Sequence, residues 1–399
     1  MYVNIFYYLW ILLQVIIGYN LILPVLLFCF YKIKGGKTRS LLKHPVSAED
    51  GDYGIIVTAY EHTQTLPAVV DSLLRLNYSR YLIYIVADKC DVSQLHFTDK
   101  RVIVLRPKET LGSNTRSHFY AIERFERNHD RLTIIDSDNL VDPEYLNELN
   151  EYFNLGYVAV QGVRKAKNLD TVYACLDAAR DMYYHFYDGE VLFGAGSSAT
   201  LSGSGMAFTV QIYKNCLAHL DITGAGFDKV LQYQLLNSNN RISFAKDAVV
   251  YDEKTSKSDQ LVKQRARWIN TWFRYFTFGF KLTGKGIRNL NWNQLLFGFI
   301  LLRPPLFIFI ILSAIFIVLN IFIQPVVALI WFIAFIIFIA GFVIGIAQSK
   351  PDKRVYRSLV RIPLFMFYQV LSLLKVRRAN AFSVATQHYH EHTIEELRS

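Results

Sequence analysis

The chain has 399 residues, 52% of them hydrophobic, and a formal net charge of +10 at pH 7. The length allows one sizeable domain with additions, and the composition is more apolar than that of an ordinary soluble protein. The positive charge does not imply nucleic acid, because much of it flanks apolar segments where anionic lipid accounts for it. The four cysteines (Cys29, Cys90, Cys175, Cys216) lack metal-ligand spacing and suit reduced thiols in a cytosolic domain.

Residues 1–31 carry no charged side chain, and as a helix they suffice to cross a hydrocarbon core of ~30 Å. No basic segment precedes the run, it is too long for the apolar region of a signal peptide, and no small-residue cleavage site closes it. It reads as an uncleaved transmembrane anchor. A basic linker over 32–50 follows, with Lys32, Lys34, Lys37, Arg39 and Lys43.

Residues 51–255 alternate strand-like and helix-like patterns. "YGIIVTA" (53–59) is a short apolar, β-branched run and predicts a buried strand. Residues 63–76 place Leu66, Val69, Val70, Leu73, Leu74 and Leu76 at helical spacing. "YLIYIVAD" (81–88) and "RVIVLRP" (101–107) predict two more strands, 115–127 a helix, and "RLTIID" (131–136) a fourth strand. Such alternation predicts an α/β domain with a mostly parallel sheet covered on both faces. Ligands of such sheets bind beyond the carboxyl ends of the strands. Three of these ends are acidic: Thr58-Ala59-Tyr60-Glu61, Asp88-Lys89-Cys90-Asp91 and Asp136-Ser137-Asp138. If the strands run parallel, the three clusters meet on one rim. A divalent cation carrying a diphosphate is the economical way to offset that charge.

Residues 256–292 read as amphipathic interface helices. Over 293–348, "LFIFIILSAIFIVLNIFI" (306–323) and "VVALIWFIAFIIFIAGFVIGIA" (326–347) flank Gln324-Pro325 and predict a transmembrane hairpin with a tight turn. Arg303-Pro304-Pro305 just upstream is costly at membrane depth unless it faces protein or lies near an interface. In the basic tail (349–399), "SLVRIPLFMFYQVLSLL" (358–374) is broken by Arg361 and Pro363 and predicts an in-plane or re-entrant segment. Lys350, Lys353, Arg354 and Arg357 follow the hairpin, and Lys375, Arg377 and Arg378 come later. The positive-inside rule then predicts a multi-pass protein of the cytoplasmic membrane with residues ~32–290 facing the cytosol. "HYHEH" (388–392) reads as a solvated tail, and the ten histidines form no metal set.

The order of TAYE, ADKCD, DSDN, "GSGMAF" and "QRARW" resembles membrane-bound glycosyltransferase family 2, the group of cellulose-, hyaluronan- and chitin-synthase-like enzymes. The resemblance covers roughly residues 50–285 and the flanking apolar segments. It implies a GT-A fold, a nucleotide-sugar donor (a UDP-sugar first), Mg2+ or Mn2+, and hexosyl or N-acetylhexosaminyl transfer. Carried over residue by residue, Thr58, Tyr60 and Glu61 match the loop that embraces the nucleoside, and Asp88 the acid that reads uracil or ribose. Asp136 and Asp138 match the D-x-D pair, with Asp138 the metal ligand foremost. Gly205 and Met206 fall in the loop near sugar and acceptor. Gln264, Arg267 and Trp268 match Q-x-x-R-W, where the arginine pairs with diphosphate and the tryptophan stacks on the acceptor sugar.

The chemistry leads the same way. A diphosphate leaving group gains charge as the glycosidic bond breaks, and metal and guanidinium stabilise it. Arg265 and Arg267 lie two residues apart on a predicted helix and point in different directions, so Arg267 is assigned to the phosphates. Inverting transfer needs a carboxylate to take the acceptor proton. In "TGAGFDKVLQYQL" (223–235), Asp228 stands where the family has the Asp of Thr-Glu-Asp, and Gly226 and Phe227 replace the other two. A helix starting near Asp228 would favour its ionised form. Gln161 and Arg164 resemble a segment facing the donor, whereas Ser113 follows Gly112 where relatives carry lysine. The expected acceptor is a glycan or a lipid-linked molecule at the membrane, with a homo-oligomer or an export partner left open. Processive synthesis, single-sugar transfer to a polyprenyl-linked acceptor, and a catalytically silent nucleotide-sugar-binding scaffold are the readings to separate.

Overall fold

A computed structural model describes residues 2–35, 50–379 and 392–398. Lys37, Arg39, Lys43 and most of the 388–392 histidine run lie outside the described residues. The chain starts with helix α1 (Tyr2–Ile33) and then enters an α/β domain. In order this comprises β1 (Tyr53–Tyr60), α2 (Leu66–Leu74), β2 (Tyr81–Asp88), β3 (Val102–Leu105), α3 (Asn114–Ile122), β4 (Arg131–Asp136), β5 (Leu140–Val141) and α4 (Tyr145–Asn154). Next come β6 (Ala159–Ala166), α5 (Val172–Tyr184), which continues as a π-helix (His185–Val191), the short α6 (Leu192–Gly194), β7 (Met206–Thr209), α7 (Val210–Leu217), α8 (Phe227–Asn237) and β8 (Ile242–Asp252).

The sheet runs β3-β2-β1-β4-β7-β6-β8-β5. The β3-β2-β1-β4 half is parallel throughout. Beyond it β7 runs antiparallel to both β4 and β6, while β6 and β8 are again parallel. The sheet is therefore mixed on that side. From β1 the chain steps outward to β2 and β3, then returns to place β4 on the other flank of β1. This makes β1/β4 a topological switch point, where the crevice of an open α/β sheet forms. β1 and β2 are buried almost end to end, as their unbroken apolar runs require. Leu66, Val69, Val70 and Leu73 of α2 pack against the sheet at the spacing of one helical face.

Helices α9 (Ser258–Tyr275) and α10 (Thr277–Arg288) follow, then α11 (Trp292–Leu302), α12 (Leu306–Ile323) and α13 (Pro325–Gln348). Among the described residues, three helices are long and apolar enough to cross a membrane: Ile5–Ile33, Leu306–Ile323 and Pro325–Gln348. Their contact combines ring packing, Trp10 on Phe316 and Phe316 on Trp331, with a buried polar knot. The Gln14 amide oxygen accepts from Asn320 Nδ2 and from Trp331 Nε1, both at 2.7 Å. Tyr187 of the π-helix donates to the Gly341 carbonyl at 2.8 Å and ties α13 to the α/β domain. After α14 (Lys353–Ser358), α15 (Ile362–Leu373) has 12 residues, short of the ~20 that span a bilayer. It packs against α9 and α5 through Phe365, Leu261 and Leu176.

Candidate functional site

The register of the sheet fixes which strand ends meet. Tyr60 stands beside Asp88 and Thr58 beside Asp136, so the three acidic ends share one rim at the switch point. Two loop residues on this rim, Glu61 (φ 63) and Lys89 (φ 56), occupy the left-handed region without being glycine, a strain that clusters at functional sites. Their side chains form an ion pair at 2.7 Å. That hydrogen bond from Lys89 holds the Glu61 carboxyl below its ordinary range.

The turn after β4 is pinned on several sides. The Asp136 N–H donates to Ser204 Oγ at 3.1 Å, and Asn139 Nδ2 donates to the same oxygen at 2.7 Å. Buried Lys167 donates to the Asp138 carbonyl, and Thr65 to the Ser137 carbonyl at 2.6 Å. Asp136 is half-buried and Asp138 buried. Among the described residues no group of three or more His, Cys, Asp or Glu could hold a metal by itself. Two carboxylate-bearing residues at a rigid turn fit a hard cation that takes its remaining oxygens from substrate phosphate and water.

Four expected contacts are corrected by the geometry. Asp88 is only 2% exposed, and its carboxylate accepts from the Leu111 and Gly112 N–H groups at 2.9 and 2.8 Å. It holds that turn instead of presenting a free carboxylate to a nucleoside. Met206 is fully buried in β7 beside Ile134, so its side chain is sealed from any acceptor. Gly205 is buried too, and a Cβ there would stand 2.9 Å from Val250. The loop shows its cavity face slightly earlier, at Leu201, Ser202 and Gly203. Gln161, expected to face the donor, instead straps this loop from beneath. Its amide nitrogen donates to the carbonyls of Gly162, Ser204 and Gly205, and its oxygen accepts from the Ser202 N–H.

A cavity of about 960 Å³ opens against this rim and brings Asp136, Asp228, Gln264, Arg267 and Trp268 onto one wall. Asp228 sits in the first turn of α8, after Gly226 (φ 102). A Cβ on Gly226 would stand 2.7 Å from Thr271 and from Tyr275, so glycine is required there by conformation and by space. Lys229 Nζ lies 3.4 Å from the Asp228 carboxylate and donates to the Leu201 carbonyl. Gln264 accepts from Thr255 at 3.2 Å. Arg265 and Arg267 diverge from α9 as their spacing requires. Arg265 is buried in an ion pair with Asp177. Arg267 lines the cavity, where burial lowers its pKa and nearby Asp136 opposes that shift.

The sequence did not single out what α5 and the π-helix contribute. Arg180, Asp181, His185 and Asp188 all face the cavity. Asp181 pairs with Lys254 at 2.5 Å, and Lys254 with Asp252 at 2.6 Å. Arg164 lies between Asp181 and Asp252, 3.5 Å from each. Asp181 is held well below the usual carboxylate range by Lys254, Arg180 and Arg164, against its own burial. Arg303 pairs with Asp188, which answers the cost of an arginine next to an apolar span. The available signal was five charged side chains, Asp177, Arg180, Asp181, Asp188 and Glu190, within a helical stretch rich in apolar and aromatic residues.

The family model described as glycosyltransferase like family 2 matches residues 51–271. Among solved structures, the mannosyltransferase PcManGT from Pyrobaculum calidifontis, in complex with GDP-Man and Mn2+, is similar at a TM-score of 0.58 and 14% identity, over 90% of this chain and 99% of its own. That likeness concerns the fold. TarS of S. aureus is similar over 55% of this chain and 39% of its own, at 16% identity and a TM-score of 0.36, too partial to bear on the site. No curated protein matches the chain by sequence.

Proposed function

The chain belongs to glycosyltransferase-like family 2, and on that premise we propose that it moves a sugar, with inversion, from a cytosolic nucleotide-sugar to a membrane-associated acceptor. The observation that carries this is the single wall shared by Asp136, Asp228, Gln264, Arg267 and Trp268. It sets acid, amide, cation and aromatic groups from three separate segments around one space.

In this reading Asp138 and Asp136 hold Mg2+ or Mn2+, which when bound neutralises charge on the donor diphosphate. Arg267 adds a second positive charge where the leaving group develops its own. Thr58, Tyr60 and the Glu61–Lys89 pair frame the nucleoside, and Asp88 acts by fixing the 111–112 turn. Asp228, in the first turn of α8, takes the proton of the acceptor hydroxyl. Gln264 orients the donor. Trp268 has the guanidinium groups of Arg180 and Arg265 over its ring, at 4.1 and 4.0 Å, and meets the acceptor in that company.

The family resemblance supports a UDP-sugar as donor, and GDP-mannose, bound by the structural neighbour, is the alternative. Lys32 and Lys34 at the end of α1, and Lys350, Lys353, Arg354 and Arg357 after α13, support a cytosolic catalytic domain. Single transfer is favoured over processive synthesis because only three helices among the described residues are long enough to span, few to enclose a polymer channel. Purified full-length protein is to be incubated with Mn2+ or Mg2+ and a panel of UDP- and GDP-sugars. Release of nucleoside diphosphate from one donor class is expected, and no release or transfer from any donor overturns the reading.

A further inference from the structure

The cavity does not end at the residues assigned to the sugar. Beyond Trp268 its wall is made by Phe307 of α12, Phe338 and Phe342 of α13, and Phe365 and Met366 of α15, an apolar chamber between membrane-type helices. Where the polar part gives way to this chamber stand Arg180 and Arg265, both stacked on Trp268. Arg265 also lies 5.7 Å from the Phe365 ring. It is 2% exposed, and its Nη2 is paired with Asp177, but its Nε and Nη1 have no hydrogen-bond partner. Arg180 is better answered: its Nη2 pairs with Asp181 and its Nε, though without a hydrogen bond, lies 3.5 Å from an Asp177 carboxylate oxygen. Cationic N–H groups withheld from both water and acceptors are unfavourable, and in a cavity they point to an anion that arrives with a ligand. The wall as a whole carries six lysines and arginines against four aspartates.

We propose that this chamber holds the acceptor as a lipid phosphate: a hydrocarbon chain between α12, α13 and α15, a phosphate on Arg180 and Arg265, and a sugar hydroxyl of the headgroup turned toward Asp228. The proposal rests on the reading above, that the chain glycosylates a membrane-associated acceptor. A growing polysaccharide would meet phenylalanine side chains where it needs hydrogen bonds, and a neutral lipid would leave Arg265 Nε and Nη1 without an acceptor. In the transfer, the acceptor hydroxyl oxygen bonds to the anomeric carbon and its proton passes to the Asp228 carboxylate. The bond from that carbon to the diphosphate oxygen breaks, and its electron pair leaves with the nucleoside diphosphate.

The test uses purified full-length protein in detergent and four probes: a long-chain polyprenyl phosphate, the polyprenol of equal length, phosphatidic acid and inorganic phosphate. Native mass spectrometry and tryptophan fluorescence read binding, since Trp268 and Trp272 both line the cavity. The polyprenyl phosphate is expected to bind at least tenfold tighter than the polyprenol, with inorganic phosphate too weak to displace it. Weaker binding of phosphatidic acid assigns a single-chain lipid, and equal binding assigns lipid phosphates in general; both support the site. Arg180→Gln should cut the preference for phosphate over alcohol below threefold. It leaves Asp181 with Lys254 and Asp177 with Arg265, so no buried acid loses its last partner. Phe338→Trp, which fills the chamber, should weaken phosphate and alcohol alike by tenfold or more, with elution on size exclusion as the check of folding. Equal binding of alcohol and phosphate to the wild type, or no response to either variant, overturns the proposal. Nucleotide-sugar binding with Mn2+ is measured in parallel: its presence without lipid selectivity sinks this inference alone, and its absence sinks the functional reading beneath it.

Discussion

The backbone N–H of Asp136 donates to the hydroxyl of Ser204, 68 positions away in sequence, at 3.1 Å. That oxygen also accepts from Asn139, so one buried serine fixes both ends of the turn that carries Asp136 and Asp138. In Ser204→Ala two buried donors lose their acceptor, at about 1–3 kcal/mol. A fall of several degrees in the thermal midpoint is expected, together with a higher metal concentration for half-maximal donor binding. If neither moves, the turn is held by Lys167 and Thr65 alone.

Removing a carboxylate from that turn tests a different link. Asp138→Ala should keep the turn in place, because the backbone carbonyl that Lys167 bonds and the Asn139–Ser204 hydrogen bond both survive the change. Turnover should fall by about 100-fold or more, the scale of losing one electrostatic stabiliser of the leaving group. Donor binding, followed by calorimetry, should lose its dependence on Mn2+. Metal-dependent binding of wild-type strength in the variant rules out Asp138 as a ligand.

Gly226 and Asp228 separate position from chemistry. Asp228→Asn keeps the α8 start and removes the base, so kcat should drop by about 100- to 10,000-fold with little change in donor KM. Gly226→Ala keeps the carboxylate but forces a Cβ toward Thr271 and Tyr275 at φ 102, a conformation that costs about 1–3 kcal/mol. It should lower the thermal midpoint and kcat together. A Gly226→Ala enzyme with normal stability and normal kcat argues that α8 does not position the base.

How much of this was legible beforehand follows from what each residue depends on. β1, β2 and β4 show in the sequence because each is an unbroken apolar run halted by acids, and α2 because its leucines and valines repeat at helical spacing. The start of α8 was legible from Asp228 and its glycines. β5 and β7, at 2 and 4 residues, are too short to display a period, and a π-helix has no pattern of its own. Asp88 and Met206 fit a familiar motif by type and order. Their roles were decided by partners that only the folded chain supplies: the 111–112 turn for Asp88, and the β4–β7 pairing for Met206. The Arg265–Asp177 pair joins positions 88 apart, a distance over which one sequence carries no signal.

The last prediction concerns pH and a histidine remote from the sugar chemistry. His118 is fully buried, its Nδ1 shares a 2.7 Å hydrogen bond with the Tyr213 hydroxyl, and its ring packs 5.1 Å from Phe227, the first residue of α8. Burial pushes its pKa down to about 3 from 6.5, so the folded chain refuses a proton that the unfolded chain accepts between those values. Stability therefore rises with pH across this window. Above about pH 6.5 the imidazole imposes no penalty, and below it the fold loses up to about 1.4 kcal/mol per pH unit. His185, also lowered to about 3 by burial, adds a contribution of the same sign. The thermal midpoint of the wild type should fall from pH 7 to pH 5. In His118→Leu it should start lower, for want of the Tyr213 hydrogen bond, and fall less steeply, because His185 and His129, both lowered by burial, still titrate. Equal slopes in the two proteins would mean that His118 takes up its proton in the folded state, and with it the Phe227 contact would tolerate a charge.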